Sequence, residues 1–227
     1  MTEVNYLESL NPLQYESVCS TEGPNLIIAG AGTGKTKVLT TRVAHIIDNN
    51  LAFPSQILCV TFTNKAAREM SERVQKLVSQ NMEKMPWMGT FHSIGAKIIR
   101  NHAEVIGLKQ SFTILDKDDQ LSLIKQIIKA ENLDQSQFSP KLIQSKIDHW
   151  KNKALNPNDI KSVSLDNLVD EKSLSIYKIY QARLFEINCL DFGDLLLQCI
   201  NLFKVTDIHK RYSNNFKYIH VDEYQDT

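Results

Sequence analysis

The sequence predicts a parallel α/β domain interrupted by an all-helical insertion. Two apolar runs near the start, residues 25–29 (NLIIA) and 56–62 (QILCVTF), and one near the end, residues 218–221 (YIHV), read as buried strands. The first two are each followed by a helical pattern, as parallel strands joined by crossover helices require. From residue 116 to about residue 187 only helical periodicity is legible.

The first helix is predicted from Lys35 to Ile47. Val38, Leu39, Val43, Ile46 and Ile47 recur at helical spacing, and Asn49-Asn50 is a stop signal. After the second strand, Thr63 or Asn64 can cap a helix whose Ala67, Met70, Val74 and Leu77/Val78 share one face. Glu69/Arg73 and Glu72/Lys76 sit four apart on its wet side. Residues 87–91 suit a third strand, residues 93–106 a helix with Ile94, Ile98, Ile99 and Val105 inward, and residues 112–115 a short strand. Asp116 caps a helix carrying Leu121, Ile124, Ile127 and Ile128. Ser139-Pro140 supplies the N-cap and first residue of another, with Ile143, Ile147 and Trp150. Asn156-Pro157 marks a break. Leu174, Tyr177, Tyr180, Leu184 and Ile187 form a long stripe, and Asp191 opens an apolar helix running to Phe203. Trp87 and Trp150 are expected to be packing residues, although an exposed Trp150 could touch duplex DNA.

Composition bounds the function classes. The 227 residues are 42% hydrophobic and 23% charged, which suits a globular core and excludes a disordered chain. The net charge is zero, so any nucleic-acid or membrane partner must be argued locally. Cys19, Cys59, Cys189 and Cys199 show neither CxxC pairing nor metal-ligand spacing, and read as reduced thiols of a cytoplasmic protein. The N-terminus lacks an apolar signal core. No apolar run reaches the about 18 residues a membrane span needs, so no membrane partner is expected.

Ala29, Gly30, Ala31, Gly32, Thr33, Gly34, Lys35 and Thr36 fit the phosphate-loop pattern, with alanine in the first glycine position. Glycines let the backbone curl so that successive N–H groups point at phosphate oxygens. The helix that follows aims its first N–H groups at the same charge. Lys35 can neutralise the β- and γ-phosphates, and Thr36 offers a hydroxyl to Mg²⁺. The loop implies a nucleoside triphosphate and leaves open what the energy drives.

A γ-phosphate site needs a carboxylate for the metal and another to orient and deprotonate the attacking water. Both belong at the C-terminal end of a parallel strand. Asp222 and Glu223 follow the strand at residues 218–221, so Asp222 is assigned to the metal and Glu223 to the water.

Several segments taken in order resemble the UvrD/Rep/PcrA group of superfamily 1 DNA helicases. Residues 222–227 (DEYQDT) look like the second ATPase motif, and AGAGTGKT like the first. Residues 10–14 (LNPLQ) resemble the upstream motif whose glutamine, here Gln14, reads adenine. Residues 61–67 (TFTNKAA) and 89–93 (GTFHS) resemble DNA-contacting segments, and residues 190–196 (LDFGDLL) the motif that closes a helical insertion. Lys37, expected by resemblance among the nucleotide-binding residues, stands where the family often has arginine, and Gly193 where many relatives carry a side chain.

The resemblance implies a RecA-like domain in three parts: residues 1–106, a helical insertion at 107–189, and a continuation at 190–227. It implies ATP and Mg²⁺ as cofactors and a 3′–5′ DNA helicase of repair or replication. Expected partners are single-stranded DNA, single-strand/duplex junctions and DNA repair proteins. It implies DNA contact by Phe62, Thr63, Asn64, Lys65, Thr90, Phe91 and His92.

Composition alone leaves that contact open. Between residues 59 and 110 eight basic side chains face four acidic ones, and aromatics beside basic residues suit a single strand. Phe62 and Phe91 could equally be core residues, and the charges a solvated helix face. The sequence stops on the last residue of the DEYQDT motif, so the expectation is an N-terminal fragment, incomplete at its C-terminus. Such a fragment would bind nucleotide weakly and would not unwind DNA alone. The alternative is a non-catalytic remnant that binds DNA or a partner.

Overall fold

A computed structural model describes residues 6–78, 85–134, 136–160 and 168–226. Glu83, Lys84 and Thr227, used above, lie outside the described residues. The described residues form a mixed α/β protein with two parallel sheets and nine α-helices. The chain packs as two units, residues 1–94 with 210–227, and residues 95–209.

The first unit is built on strand β1 (Ile57–Thr61). It lies between β2 (Met88–Thr90) and β5 (Tyr218–Val221), parallel to both. Ile57, Cys59, Val60 and Thr61 are all buried, the near-continuous burial expected of a central parallel strand. Helices α2 (Lys35–Asp48) and α3 (Asn64–Leu77) supply Val43, Ala44, Ile46, Met70 and Val74 to the core around β1. Thr63 caps α3, its hydroxyl accepting from Ala66 N at 3.1 Å. Glu69 pairs with Arg73 at 3.8 Å on the exposed side. Trp87 packs edge-on against Tyr212 and Phe216, as a packing residue should.

Two helices were not foreseen. Helix α1 (Pro12–Cys19) starts with a capping box between Asn11 and Gln14, and Arg42 of α2 donates to its Ser17 carbonyl at 2.5 Å. Helix α9 (Thr206–Asn215) has too few apolar residues for a clear stripe.

Residues 25–29 do not form the expected strand. They join no ladder, leaving Leu26 73% and Ile28 89% exposed. A strand exists only where a neighbour takes its N–H and C=O groups, and no described strand lies beside this run.

The second unit is mainly helical. Helix α4 (Phe91–Asn101) begins in the first unit, and buries Ile98 and Ile99. The predicted helix to residue 106 instead breaks at Asn101 into a separate 3₁₀ turn, Ala103–Ile106. The tighter winding turns Ala103 inward and leaves the expected core residue Val105 exposed. Strand β3 (Thr113–Leu115) pairs in parallel with β4 (Cys189–Asp191), a strand too short for its alternation to show in the sequence. Between them lie α5 (Lys117–Ala130), α6 (Pro140–Asn152) and α7 (Leu168–Glu186). Asp116 caps α5 through bonds from the N–H groups of Asp118 and Asp119 at 2.9 Å. Pro140 opens α6, but the Ser139 side chain makes no cap bond. Ile124, Ile127, Ile128, Ile143, Ile147, Leu174, Tyr177, Tyr180 and Leu184 form one core, with Trp150 stacked on Tyr177. Ile187, expected on that stripe, lies past the end of α7 and is exposed.

Helix α8 (Phe192–Phe203) is anchored by a buried ion cluster. Asp191 and Asp194 form its capping box, and Lys151 donates to both, at 2.6 and 2.8 Å. Tyr180 OH also donates to Asp191 at 2.9 Å, and Gln181 to Asp194 at 3.0 Å. The Lys151 side chain is 0% exposed. Its stem passes so close to Gly193 that a Cβ there would stand 2.9 Å from Lys151 Cδ. The glycine in LDFGDLL therefore has a local cause.

One lysine faces two carboxylates. Removing it leaves two buried negative charges together, a change that costs about 3–5 kcal/mol. Lys151→Met should lower the urea unfolding midpoint accordingly, read by circular dichroism. Burial, the largest influence, raises the Asp194 carboxyl to about 6, above its ordinary 3.8, against the pull of Lys151. A raised acid pKa means the folded state holds the proton more tightly. The resulting stability is present below about pH 4 and is lost as pH rises through about 6. The stability of the parent relative to Asp194→Asn should therefore fall between pH 4 and pH 7, measured by denaturant titration across that range.

Candidate active site

The site lies at the C-terminal end of the three-stranded sheet and at the start of α2. The backbone between Gly30 and Gly34 curls into a loop before α2. Gly34, the N-cap, has φ +90°, a left-handed conformation that a side chain would strain. Gln14 Nε2 donates to Thr33 O at 3.0 Å, and a Cβ on Gly34 would stand 3.1 Å from that same nitrogen. Thr33 closes the turn by donating to Gly30 O at 2.7 Å. Lys35 Nζ donates to Ala29 O and Gly30 O at 3.2 and 3.3 Å, so the ammonium lies over the mouth of the loop. Lys37 turns away and donates to Ser9 O at 2.6 Å, tying the loop helix to the segment before α1.

Asp222 follows β5 directly. Its N–H donates to Val60 O at 2.9 Å, which holds the carboxylate beside the end of β1. The residue is 8% exposed. Burial and the neighbouring Glu223 charge push its carboxyl up. The Glu223 N–H, the Thr61 hydroxyl and the Lys35 charge act the other way. Lys35 and Asp222, separated by most of the chain, thus lie within electrostatic reach of each other. Glu223 adopts a left-handed φ of +51°, uncommon for a residue with a side chain, and its carboxylate accepts from Gln225 Nε2. Thr61, which the sequence places at the end of a strand and at the start of the TFTNKAA segment, donates to Asp222 Oδ2 at 3.5 Å.

The residues expected to touch DNA leave the same sheet end. Phe62 follows β1 and Phe91 follows β2, and their rings meet edge to face at 5.5 Å. Phe62 is 43% exposed, so it is not a core residue. Asn64 and Lys65 are exposed in the first turn of α3. Thr63 and Thr90 act locally as caps: Thr90 accepts from Ser93 N at 3.1 Å and is itself buried. His92 is half-buried, and burial lowers its pKa.

The donor set suits a triphosphate with a hard cation. Amide N–H groups and an ammonium match phosphate oxygens, while a hydroxyl on Thr36 and a carboxylate on Asp222 match magnesium. Among the described residues no group of three or more His, Cys, Asp or Glu could hold a metal by itself. A magnesium bound mainly through phosphate oxygens and water needs no such cage. No described helix is long and apolar enough to cross a membrane.

The model of the UvrD/REP helicase N-terminal domain matches residues 10–227. The ATP-dependent DNA helicase PcrA of Staphylococcus aureus is 46% identical over 222 residues, covering 97% of this chain and 30% of that protein. The PcrA of Leuconostoc citreum is 45% identical over 96% of this chain and 29% of its own length. A probable DNA helicase II homolog of Rickettsia conorii is 48% identical over 100% of this chain and 35% of its own. The chain thus spans about a third of the length of the relatives it matches. A match from residue 10 to residue 227 makes this chain a member of the UvrD/REP helicase N-terminal domain family.

Proposed function

We propose that this chain is the ATP-binding and single-stranded-DNA-binding part of a 3′–5′ DNA helicase of repair or replication. The observation that carries the reading is that the charge of Lys35, held at the loop, acts on the Asp222 carboxyl at the end of β5. The PcrA relatives are named as ATP-dependent DNA helicases, which supports the activity proposed for the whole protein. Translocation and unwinding belong to that whole protein, since this chain spans about 30% of those relatives.

In this reading the fold is a RecA-like domain, with residues 107–189 as its helical insertion. The amides of residues 30–36 and the Lys35 ammonium bind the phosphates. Gln14, held against Thr33 O, is placed beside the loop where a base would be read. Magnesium, held by Thr36 and Asp222, would neutralise charge developing on the β- and γ-oxygens. Glu223 accepts a proton from the attacking water. Phe62 and Phe91 offer ring faces to bases, while Lys65 screens a phosphate. Thr63 and Thr90 hold those segments as caps, with Asn64 and His92 beside them. DNA and nucleotide are thus served from one end of the sheet.

Lys35→Ala removes a charge-assisted contact of about 1.5–3 kcal/mol, so ATP·Mg²⁺ affinity should fall about 10- to 150-fold by isothermal titration. Unchanged affinity would refute the loop assignment. Phe62→Ala should weaken binding of a fluorescent oligo-dT by an amount matching about 1–3 kcal/mol, with its salt dependence kept. An anisotropy titration that shows parent-like affinity would return Phe62 to a packing role.

A further inference from the structure

We propose that Thr61 is a positioning residue for the carboxylate of Asp222, and that it links the metal side of the site to the aromatic pair. The proposal rests on the nucleotide-site reading above. Thr61 ends β1, on the same face of the strand as Ile57 and Cys59, in a row that is at most 2% exposed. Packing alone favours valine in such a row: it has the same branched shape and no polar atom to desolvate. A buried hydroxyl needs a partner, and Thr61 Oγ1 has Asp222 Oδ2 at 3.5 Å. That separation is long for a bond between a hydroxyl and a carboxylate.

The ladder keeps the two residues together. Val60 pairs with Val221, and Asp222 N donates to Val60 O at 2.9 Å, so Thr61 and Asp222 stand side by side. On its other side Thr61 pairs with Thr90. Phe62 and Phe91 come immediately after these two residues, and their rings touch at 5.5 Å. A displacement of the aromatic pair therefore acts on the strand end that carries the Thr61 hydroxyl. By holding Oδ2, that hydroxyl would keep the Asp222 carboxylate in place for a cation.

The test uses the full 227-residue chain, with ATP binding followed by isothermal titration over a range of Mg²⁺ and again in EDTA. Thr61→Val keeps the shape, and Thr61→Ser keeps the hydroxyl. The Mg²⁺ needed for half-maximal ATP binding should rise about fivefold in Thr61→Val, return to near the parent in Thr61→Ser, and leave affinity in EDTA unchanged. Parent-like Mg²⁺ dependence in Thr61→Val overturns the assignment of Thr61 and leaves the site reading intact. An equal loss with and without Mg²⁺ also overturns it, because it marks a packing role. A parent chain with no Mg²⁺-dependent ATP binding overturns the site reading and Thr61 with it.

Discussion

The parallel pairing of β1 with β5 is the constraint on which the rest of the first unit depends. It joins Val60 to Val221 and makes Val60 O the acceptor for Asp222 N. An acidic pair at the end of a strand has no chemistry until another element faces it. Here β1 supplies that element, since its own residues are sunk in the core made by α2 and α3. Helix α2 begins at Lys35, so the glycine loop is referenced to the same core. Carboxylate and Phe62 are thereby placed by β1, Phe91 by its neighbour β2, and the loop by α2. Rigid strand ends suit such a site, because small displacements of phosphate or metal ligands are costly in binding and rate.

The second unit uses a different device. At the junction of β4 and α8, beside its apolar core, Lys151 is enclosed with Asp191 and Asp194. A buried ion cluster adds little net stability over apolar packing, but it punishes any arrangement that separates its members. The tyrosine and glutamine bonds to the two carboxylates, from Tyr180 and Gln181 on α7, extend that penalty to the placement of α7. The LDFGDLL segment is thus fixed in register by charge as well as by packing. Gly193 leaves the room that the lysine stem needs.

Membership of the UvrD/REP helicase N-terminal domain family rests on the whole run of residues 10–227, not on the loop alone. The loop by itself speaks only of a triphosphate. The polar and aromatic residues after β1 and β2 leave the sheet at the same end as Asp222.

The sequence by itself determined the local features. The glycine loop, the start of α2 at Lys35, the caps at Thr63 and Asp116, and the core faces of α3, α5 and α7 follow from spacing and capping chemistry within a few residues. Tertiary structure decided whatever needs a distant partner. Residues 25–29 are as apolar as β1, yet they stay exposed because no described strand takes their hydrogen bonds. Phe62 emerged from a buried strand as an exposed ring, and Thr61 as a partner of Asp222 across 161 positions. Periodicity reports the environment of one element. A hydrogen bond between strand ends depends on register and pairing, which arise only when the chain closes on itself.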